Sequence, residues 1–283
     1  MPGLRAAGDP GPAGLAPSTT QFGTALSDIV RCQSCGHMQL ARPPTEPSLL
    51  VAYQDVDSVD YVAEETGQRT TARSTLEMIE QHASPGRLLD VGCWVGFLLD
   101  EARHHGWEVT GVEPSRFASS YARERFALDV YTGDLVDARL EPGSFDAVVL
   151  EDVIEHLPDP GQALDRIAEL TSPGAVLHLA LPDAGSRVAR VLGRRWWSVI
   201  PTHVHYFTRG SMSALLQRHG WQVLAIRTAP KAFTLRYYLG RLAGYSPPLS
   251  CRLIALAEAF GAADRLWAPD FRDRMAVMAQ RAA

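Results

Sequence analysis

The stretch that most constrains the fold is Leu88-Leu89-Asp90-Val91-Gly92-Cys93-Trp94-Val95-Gly96-Phe97-Leu98-Leu99. A short apolar run meets a glycine-bearing turn, and an apolar helical pattern follows. A buried parallel strand that ends beneath a ligand reads this way. Gly92 and Gly96 let the backbone bend sharply and let a ligand approach the main chain. The helix opening near Gly96 aims its unpaired N–H groups at the same place. In an open α/β sheet, this first strand-to-helix crevice is the default binding position. Strand patterns follow at 107–115, 128–131, 145–150, 175–181, 221–228 and 274–280. Helical patterns at 96–105, 116–126 and 162–170, and another after Thr208 that Gly220 ends, separate them. The alternation predicts an α/β fold: an open, mostly parallel sheet with helices on both faces.

A dinucleotide fold would place G-x-G-x-x-G at the first turn. Here the middle and third glycines are absent, which disfavours a nicotinamide-dependent oxidoreductase. Asp90, Gly92 and Gly96 instead resemble the first motif of class I S-adenosylmethionine-dependent methyltransferases, an acidic residue and then G-x-G-x-G. Trp94 stands where glycine is commoner. Glu113 ends the second strand, 23 residues after Asp90. A carboxylate near this offset reaches ribose hydroxyls, and each such hydrogen bond is worth about 1.5–3 kcal/mol. The third strand ends at Gly133-Asp134-Leu135, where the resemblance implies that Asp134 accepts from the adenine amino group; a plain turn aspartate is the other reading. The run from Glu151 to Pro160 is similar to D-V-(L/I)-E-H-(L/V)-x-D-P of small-molecule methyltransferases, including the ubiquinone O-methyltransferase group. Its start lies at the mouth of the same crevice, which puts Glu151 and Asp152 near the methionine end of the cofactor. The resemblance implies a seven-stranded Rossmann-like sheet whose last strand is reversed and slots between the fifth and sixth. It implies S-adenosylmethionine as cofactor, held by Asp90, Gly92, Cys93, Trp94, Gly96, Glu113, Asp134, Leu135 and Glu151.

Methyl transfer from a sulfonium is an in-line displacement, so positioning supplies most of the acceleration. A hydroxyl or acidic C–H acceptor would also gain from a base. The candidates are His203, His205 and His156, in that order. The phrase H-x-H-Y-F-T at 203–208 resembles the family's segment after the fifth strand. In sugar C-methyltransferases with an N-terminal zinc segment, a histidine at the place of His203 acts as base. The alternatives are that His203 and His205 cap the helix after Thr208, and that His156 anchors the next helix. Four arginines and two tryptophans fall within residues 187–197. Arginine forks suit carboxylate or phosphate, so Arg194, Arg195, Trp196 and Trp197 are substrate candidates. Tyr61 joins them, as a pocket residue or as surface packing; Tyr53 has the same two readings.

Cys32-x-x-Cys35-Gly36-His37 looks like one knuckle of a zinc ribbon, but structural zinc needs four ligands, usually from two knuckles. No partner knuckle is visible, so Cys32, Cys35 and His37 are weak metal candidates and bound zinc is not expected. The predicted organisation is a flexible leader over 1–20, a degenerate ribbon-like hairpin over 21–45 and a helical cap over 46–84. The methyltransferase core covers 85–230, a helical insertion 231–270, and the last core strand 271–283. The insertion is a lid, a dimer surface or a membrane-contact helix, with packing on the domain or a partner favoured.

A net charge of −5 gives no bulk attraction to nucleic acid. No apolar run is long enough to cross a bilayer, and no secretory signal is visible. Four cysteines, two of them in the probable fold, argue against a disulfide scaffold and for a reducing cytoplasm. The expected activity is methylation of a small-molecule acceptor, a specialised metabolite, sugar or quinone-like compound, with O-methylation favoured over C- or N-. A homodimer is one expected assembly. A catalytically silent cofactor-binding subunit is the alternative, should the Trp94 indole block the pocket.

Overall fold

The structure is a computed structural model that describes residues 22–45 and 59–282. The predicted leader, Tyr53 and the first part of the helical cap lie outside these residues. In chain order the strands are β1 (Ile29–Arg31), β2 (Met38–Leu40), β3 (Arg87–Val91), β4 (Glu108–Glu113), β5 (Val130–Thr132), β6 (Phe145–Glu151), β7 (Thr171–Pro182), β8 (His205–Tyr206), β9 (Trp221–Thr228), β10 (Phe233–Thr234), β11 (Leu266–Trp267) and β12 (Arg274–Arg281). The described helices are α1 (Val59–Val62), α2 (Glu65–Glu80), α3 (Phe97–His104), α4 (Arg116–Phe126), α5 (Pro160–Leu170), α6 (Arg187–Leu192), α7 (Arg209–Arg218), α8 (Leu235–Arg241) and α9 (Pro247–Ala259).

Seven strands form one sheet in the order β5-β4-β3-β6-β7-β12-β9. The first five are parallel, and β12 runs antiparallel to both β7 and β9. The chain winds outward from β3 through β4 to β5, then returns to place β6 on the other side of β3. The order therefore reverses between β3 and β6, and a crevice opens at their carboxyl ends.

Period-2 alternation divides the core between the two faces. Leu89, Val91, Val148 and Leu150 point to one face, where Leu164 and Ile167 of α5 and Met212 and Leu216 of α7 cover them. Leu88, Ala147 and Val149 point to the other, beneath Ala72, Leu76 and Ile79 of α2 and Leu98, Leu99 and Ala102 of α3. A strand buried on both sides needs continuous apolar sequence, which explains why RLLDV and FDAVVLE show no polar alternation.

Two regions depart from the sequence expectation. His203 and His205 do not cap α7. Thr208 and Ser211 form that capping box, and His205–Tyr206 is a strand paired with β2. The N-terminal hairpin β1–β2 thus closes a three-stranded sheet with β8. Its small core joins Leu40, Ala189, Trp196, Val204 and Tyr206. In the 231–270 stretch Leu253, Leu256, Phe260, Ala263 and Trp267 stand at helical spacing, but α9 ends at Ala259 and Trp267 belongs to the β10–β11 pair. Of these five, Leu256, Phe260 and Trp267 are exposed and Ala263 is buried. Among the described residues no helix is long and apolar enough to cross a membrane.

Candidate functional site

The crevice at the β3/β6 switch is a cavity of about 410 Å³. That lies in the range of small-molecule and cofactor sites. Its floor is the turn after β3. Gly92 sits at φ +74° and its missing Cβ would meet Val153 Cγ2 at 2.5 Å, so no larger residue fits there. Gly96, at φ +83°, is the N-cap of α3 and abuts Leu128 and Ala122. Trp94 also has a positive φ, of 50°. The turn demands a left-handed residue at that position, which is why glycine suits it and why tryptophan there carries backbone strain.

The Trp94 indole is part of the cavity wall, edge-on to Tyr61 at 6.1 Å and 6.5 Å from Phe117. Its Nε1 is buried with no protein partner. The cavity persists beside it, so the indole does not fill the crevice.

Glu113 ends β4 with its carboxylate turned back to the turn. Oε2 accepts from Trp94 N at 2.8 Å and Oε1 from Ser115 N at 2.7 Å. A carboxylate has about four acceptor sites, so two remain. Burial pushes its pKa up to about 7, against the lowering effect of those two N–H bonds. Asp90 is buried behind the turn, and desolvation, then Glu151 and Glu113, hold its carboxyl well above the usual range. Burial likewise raises the Cys93 thiol. Glu151 accepts from Thr75 Oγ1 at 2.5 Å and lies 3.5 Å from His178 Nε2. Burial raises its pKa, but the His178 contacts, Lys231 and Thr75 outweigh it and the net direction is down. Asp134 accepts from Asp137 N at 2.8 Å and lines the cavity beside Leu135. All nine residues predicted for the cofactor except Gly96 line this one cavity; Gly96 sets the turn from behind.

The three histidines separate. His156 lines the cavity. Its Nδ1 lies 2.9 Å from Thr202 O, and a carbonyl can only accept, so Nδ1 carries the proton and Nε2 the lone pair. Burial lowers its pKa, against Thr202 and Asp152, and it is neutral at pH 7. His203 is buried behind it, with ring centroids 4.6 Å apart and Nδ1 2.7 Å from Ser198 O. Burial, then His156, puts its pKa well below normal. His205 Nε2 faces Pro158 O at 3.4 Å, and its Nδ1 pairs with His37 Nε2 at 3.1 Å. Neither His203 nor His205 lines the cavity. Order in sequence and order in space differ because β8 swings both behind the segment after β6, where Val204 N and His205 N bond Glu155 O.

Arg194, Arg195, Trp196 and Trp197 do not line the cavity either. Trp196 is buried in the small core and donates to Asp273 Oδ2 at 3.1 Å. Tyr61 does line it, from the cover formed by α1 and α2. Cys32 and Cys35 are exposed, and His37 turns to His205 instead of to them. Among the described residues the group able to surround a metal ion is Glu155, His156 and His203, whose ligand atoms lie within 4.8 Å of one another. Both Glu155 oxygens are buried without a hydrogen-bond partner.

The sequence reading puts Asp152 with Glu151 near the methionine end of the cofactor, but its backbone geometry and its partners escaped that reading. Asp152 sits at φ 55° directly after β6. One of its oxygens pairs with Lys231 Nζ, and the other lies 2.6 Å from Arg274 Nη2. Gln68, Thr71 and Phe233 complete that wall. Lys231 comes from the loop after β9, far along the chain. The visible signal was compositional, since it is the only lysine in the sequence.

A methyltransferase-domain family model matches residues 63–226. Ubiquinone biosynthesis O-methyltransferase of Pectobacterium carotovorum is 34% identical over 94 residues, 31% of this chain and 39% of that protein. The Chromobacterium violaceum protein of the same name is 27% identical over 145 residues, 47% of this chain and 62% of its own length. The chain thus spans less than two thirds of these relatives. A SAM-dependent methyltransferase from Archaeoglobus fulgidus superposes with a TM-score of 0.54 at 18% identity, covering 79% of this chain and all of that one. The [4+2]-cyclase SpnF superposes at 0.51 with 20% identity, over 75% and 81% of the two chains. These two show the fold alone. With its sheet order, its β3 turn and a family match across more than half its length, the chain belongs to the methyltransferase-domain family.

Proposed function

We propose that this chain transfers the methyl group of S-adenosylmethionine to a hydroxyl oxygen of a small molecule. The observation that carries the reading is that the turn after Asp90 and the carboxylate of Glu113 face one cavity large enough for a nucleoside. The cofactor, when bound, supplies a methyl group already activated by its sulfonium. The chain supplies position and dryness. Glu113 has acceptor capacity left for two ribose hydroxyls, and its grip on Trp94 N fixes the turn against which the nucleoside rests. Asp134 and Leu135 lie on the β5 side, where an adenine would extend. Glu151, whose carboxyl is held below its ordinary pKa, puts negative charge near the middle of the sheet, suited to a cationic sulfur and ammonium. Tyr61, Trp94 and Phe233 wall the cavity and exclude water.

Of the three histidines, His156 becomes the leading base. It is in the cavity wall, neutral, with its proton held on Nδ1 by Thr202. The O-methyl outcome is supported by the names of the relatives, and the small cavity suits a small acceptor. Calorimetry with S-adenosylhomocysteine tests the reading. The native chain binds it, and Glu113→Gln, which keeps the shape but loses the charge, binds at least tenfold more weakly. Absence of binding by the native chain at millimolar ligand overturns the reading.

A further inference from the structure

Of the 27 lysines and arginines, Lys231 is the single lysine. It is also the one lysine or arginine among the described residues that lines the cavity. The acidic groups of that lining are the carboxyls of Asp90, Glu113, Asp134, Glu151, Asp152 and Asp159. An anionic group on a ligand would be repelled along most of this surface and attracted at one point.

That point is built. Asp152 is shared between two cations, with one oxygen to Lys231 and the other to Arg274. Glu151 adds a second negative charge nearby, but Asp152 is divided between the two cations, so the ammonium keeps donor capacity toward the cavity. The Tyr61 side chain lines the same wall as Lys231, and burial keeps its hydroxyl protonated. The ammonium can only donate, and a protonated phenol can donate as well. Two donors therefore stand side by side, as a two-oxygen anion requires. The backbone holds the lysine in place: Ala232 N donates to Thr71 Oγ1 at 3.0 Å and Tyr238 Oη to Lys231 O at 2.5 Å. Across the sheet, Glu113 on β4 and Asp152 after β6 are separated by β3, a span of roughly 10 Å. A nucleoside seated at Glu113 would send its methionine arm toward Lys231.

We propose that Lys231, with the Tyr61 hydroxyl, binds the carboxylate of the cofactor's methionine moiety. The assignment rests on the cofactor reading given under Proposed function. The segment after β9 then closes the amino-acid end of the site, while the turns after β3 and β4 hold the nucleoside. A lysine fits where arginine does not, because a compact ammonium can sit between Asp152, Tyr61 and ligand.

The test is calorimetry on the full chain with three ligands: S-adenosylmethionine, its decarboxylated analogue and 5′-methylthioadenosine. The native chain is expected to bind S-adenosylmethionine at least tenfold more tightly than the decarboxylated analogue. Lys231→Met is expected to lose at least tenfold for S-adenosylmethionine while binding the other two within about twofold of native. Lys231→Arg, with charge but the wrong shape, falls between. In Lys231→Met the carboxylate of Asp152 still has Arg274, so the variant keeps no unpaired buried charge. Equal weakening for all three ligands would mean a merely structural lysine and overturns the assignment. An unchanged preference for the carboxylate overturns it too and leaves the ammonium to an anionic acceptor. Failure of the native chain to bind even 5′-methylthioadenosine removes the nucleoside reading, and the assignment falls with it.

Discussion

At the scale of single residues, burial without full partnering is the recurring theme. Glu155 is the sharpest case: both oxygens are buried without a hydrogen bond, and the nearest contact of ion-pair type is His203 Nε2 at 4.0 Å. Desolvation first, then the Asp152 charge, pushes its pKa up to about 8 from 4.5. The folded state therefore keeps a proton that the unfolded chain releases above about pH 4.5. Stability from this group is full below 4.5, declines as pH rises, and is lost once pH passes about 8. Glu155→Gln mimics the protonated form at every pH. Thermal melts of the two proteins are expected to converge near pH 5 and to separate in favour of the variant by several degrees by pH 9. Parallel pH profiles would show that Glu155 is ionised throughout. Glu113 titrates near 7 for the same reason of burial, but there the ionised form is the one that accepts ribose hydroxyls. Affinity for S-adenosylhomocysteine should accordingly fall below pH 7, by up to about tenfold per pH unit. Titrations at pH 5, 6, 7 and 8 check this, and a flat profile would exclude Glu113 from ligand contact.

At the scale of elements, helix ends and one reversed strand set the site. α4 starts on Ser115, whose side chain accepts from Ala118 N, immediately after the carboxylate of Glu113. The cap thus fixes the strand-end turn that Glu113 bridges. The same helix ends at Ala127, in the left-handed region at φ 52°. Glycine has no Cβ to strain there. Ala127→Gly should stabilise the protein by about 0.5–1 kcal/mol, seen as a melting temperature raised by a few degrees. A lower melting temperature would show that the Cβ packs more than it strains. β12 acts differently. By pairing antiparallel with β7 and β9 it brings Arg274 to Asp152 at the cavity edge. A strand from the end of the chain thereby completes a charge array begun after β6.

At the scale of the whole molecule, a ligand seated against the cover of α1 and α2, the sheet ends and the loop after β9 touches segments distant in sequence. Such binding should stabilise the folded chain globally. At about 100 times its dissociation constant, S-adenosylhomocysteine should add roughly 2.7 kcal/mol, a melting shift of about 5–10 °C; scanning fluorimetry reads it, and Glu113→Gln should reduce it. The sheet was legible in the sequence because a strand buried on both faces is a continuous apolar run, and glycines mark the turns after β3 and β5. Asp90, Glu113, Asp134 and Glu151 were legible because each stands at a strand end, and strand ends in a parallel sheet converge on one edge by topology alone. The three histidines were not. Whether His156 or His203 reaches the cavity depends on β8 pairing with a hairpin at the other end of the chain, and no local pattern encodes that contact. Lys231 and Arg274 were hidden for the same reason: an ion pair across 79 residues, such as Lys231 with Asp152, carries no periodicity. Local propensity and burial pattern thus determined the scaffold and its strand-end acids. Only the packing of remote segments decided which base, which cation and which wall those acids meet.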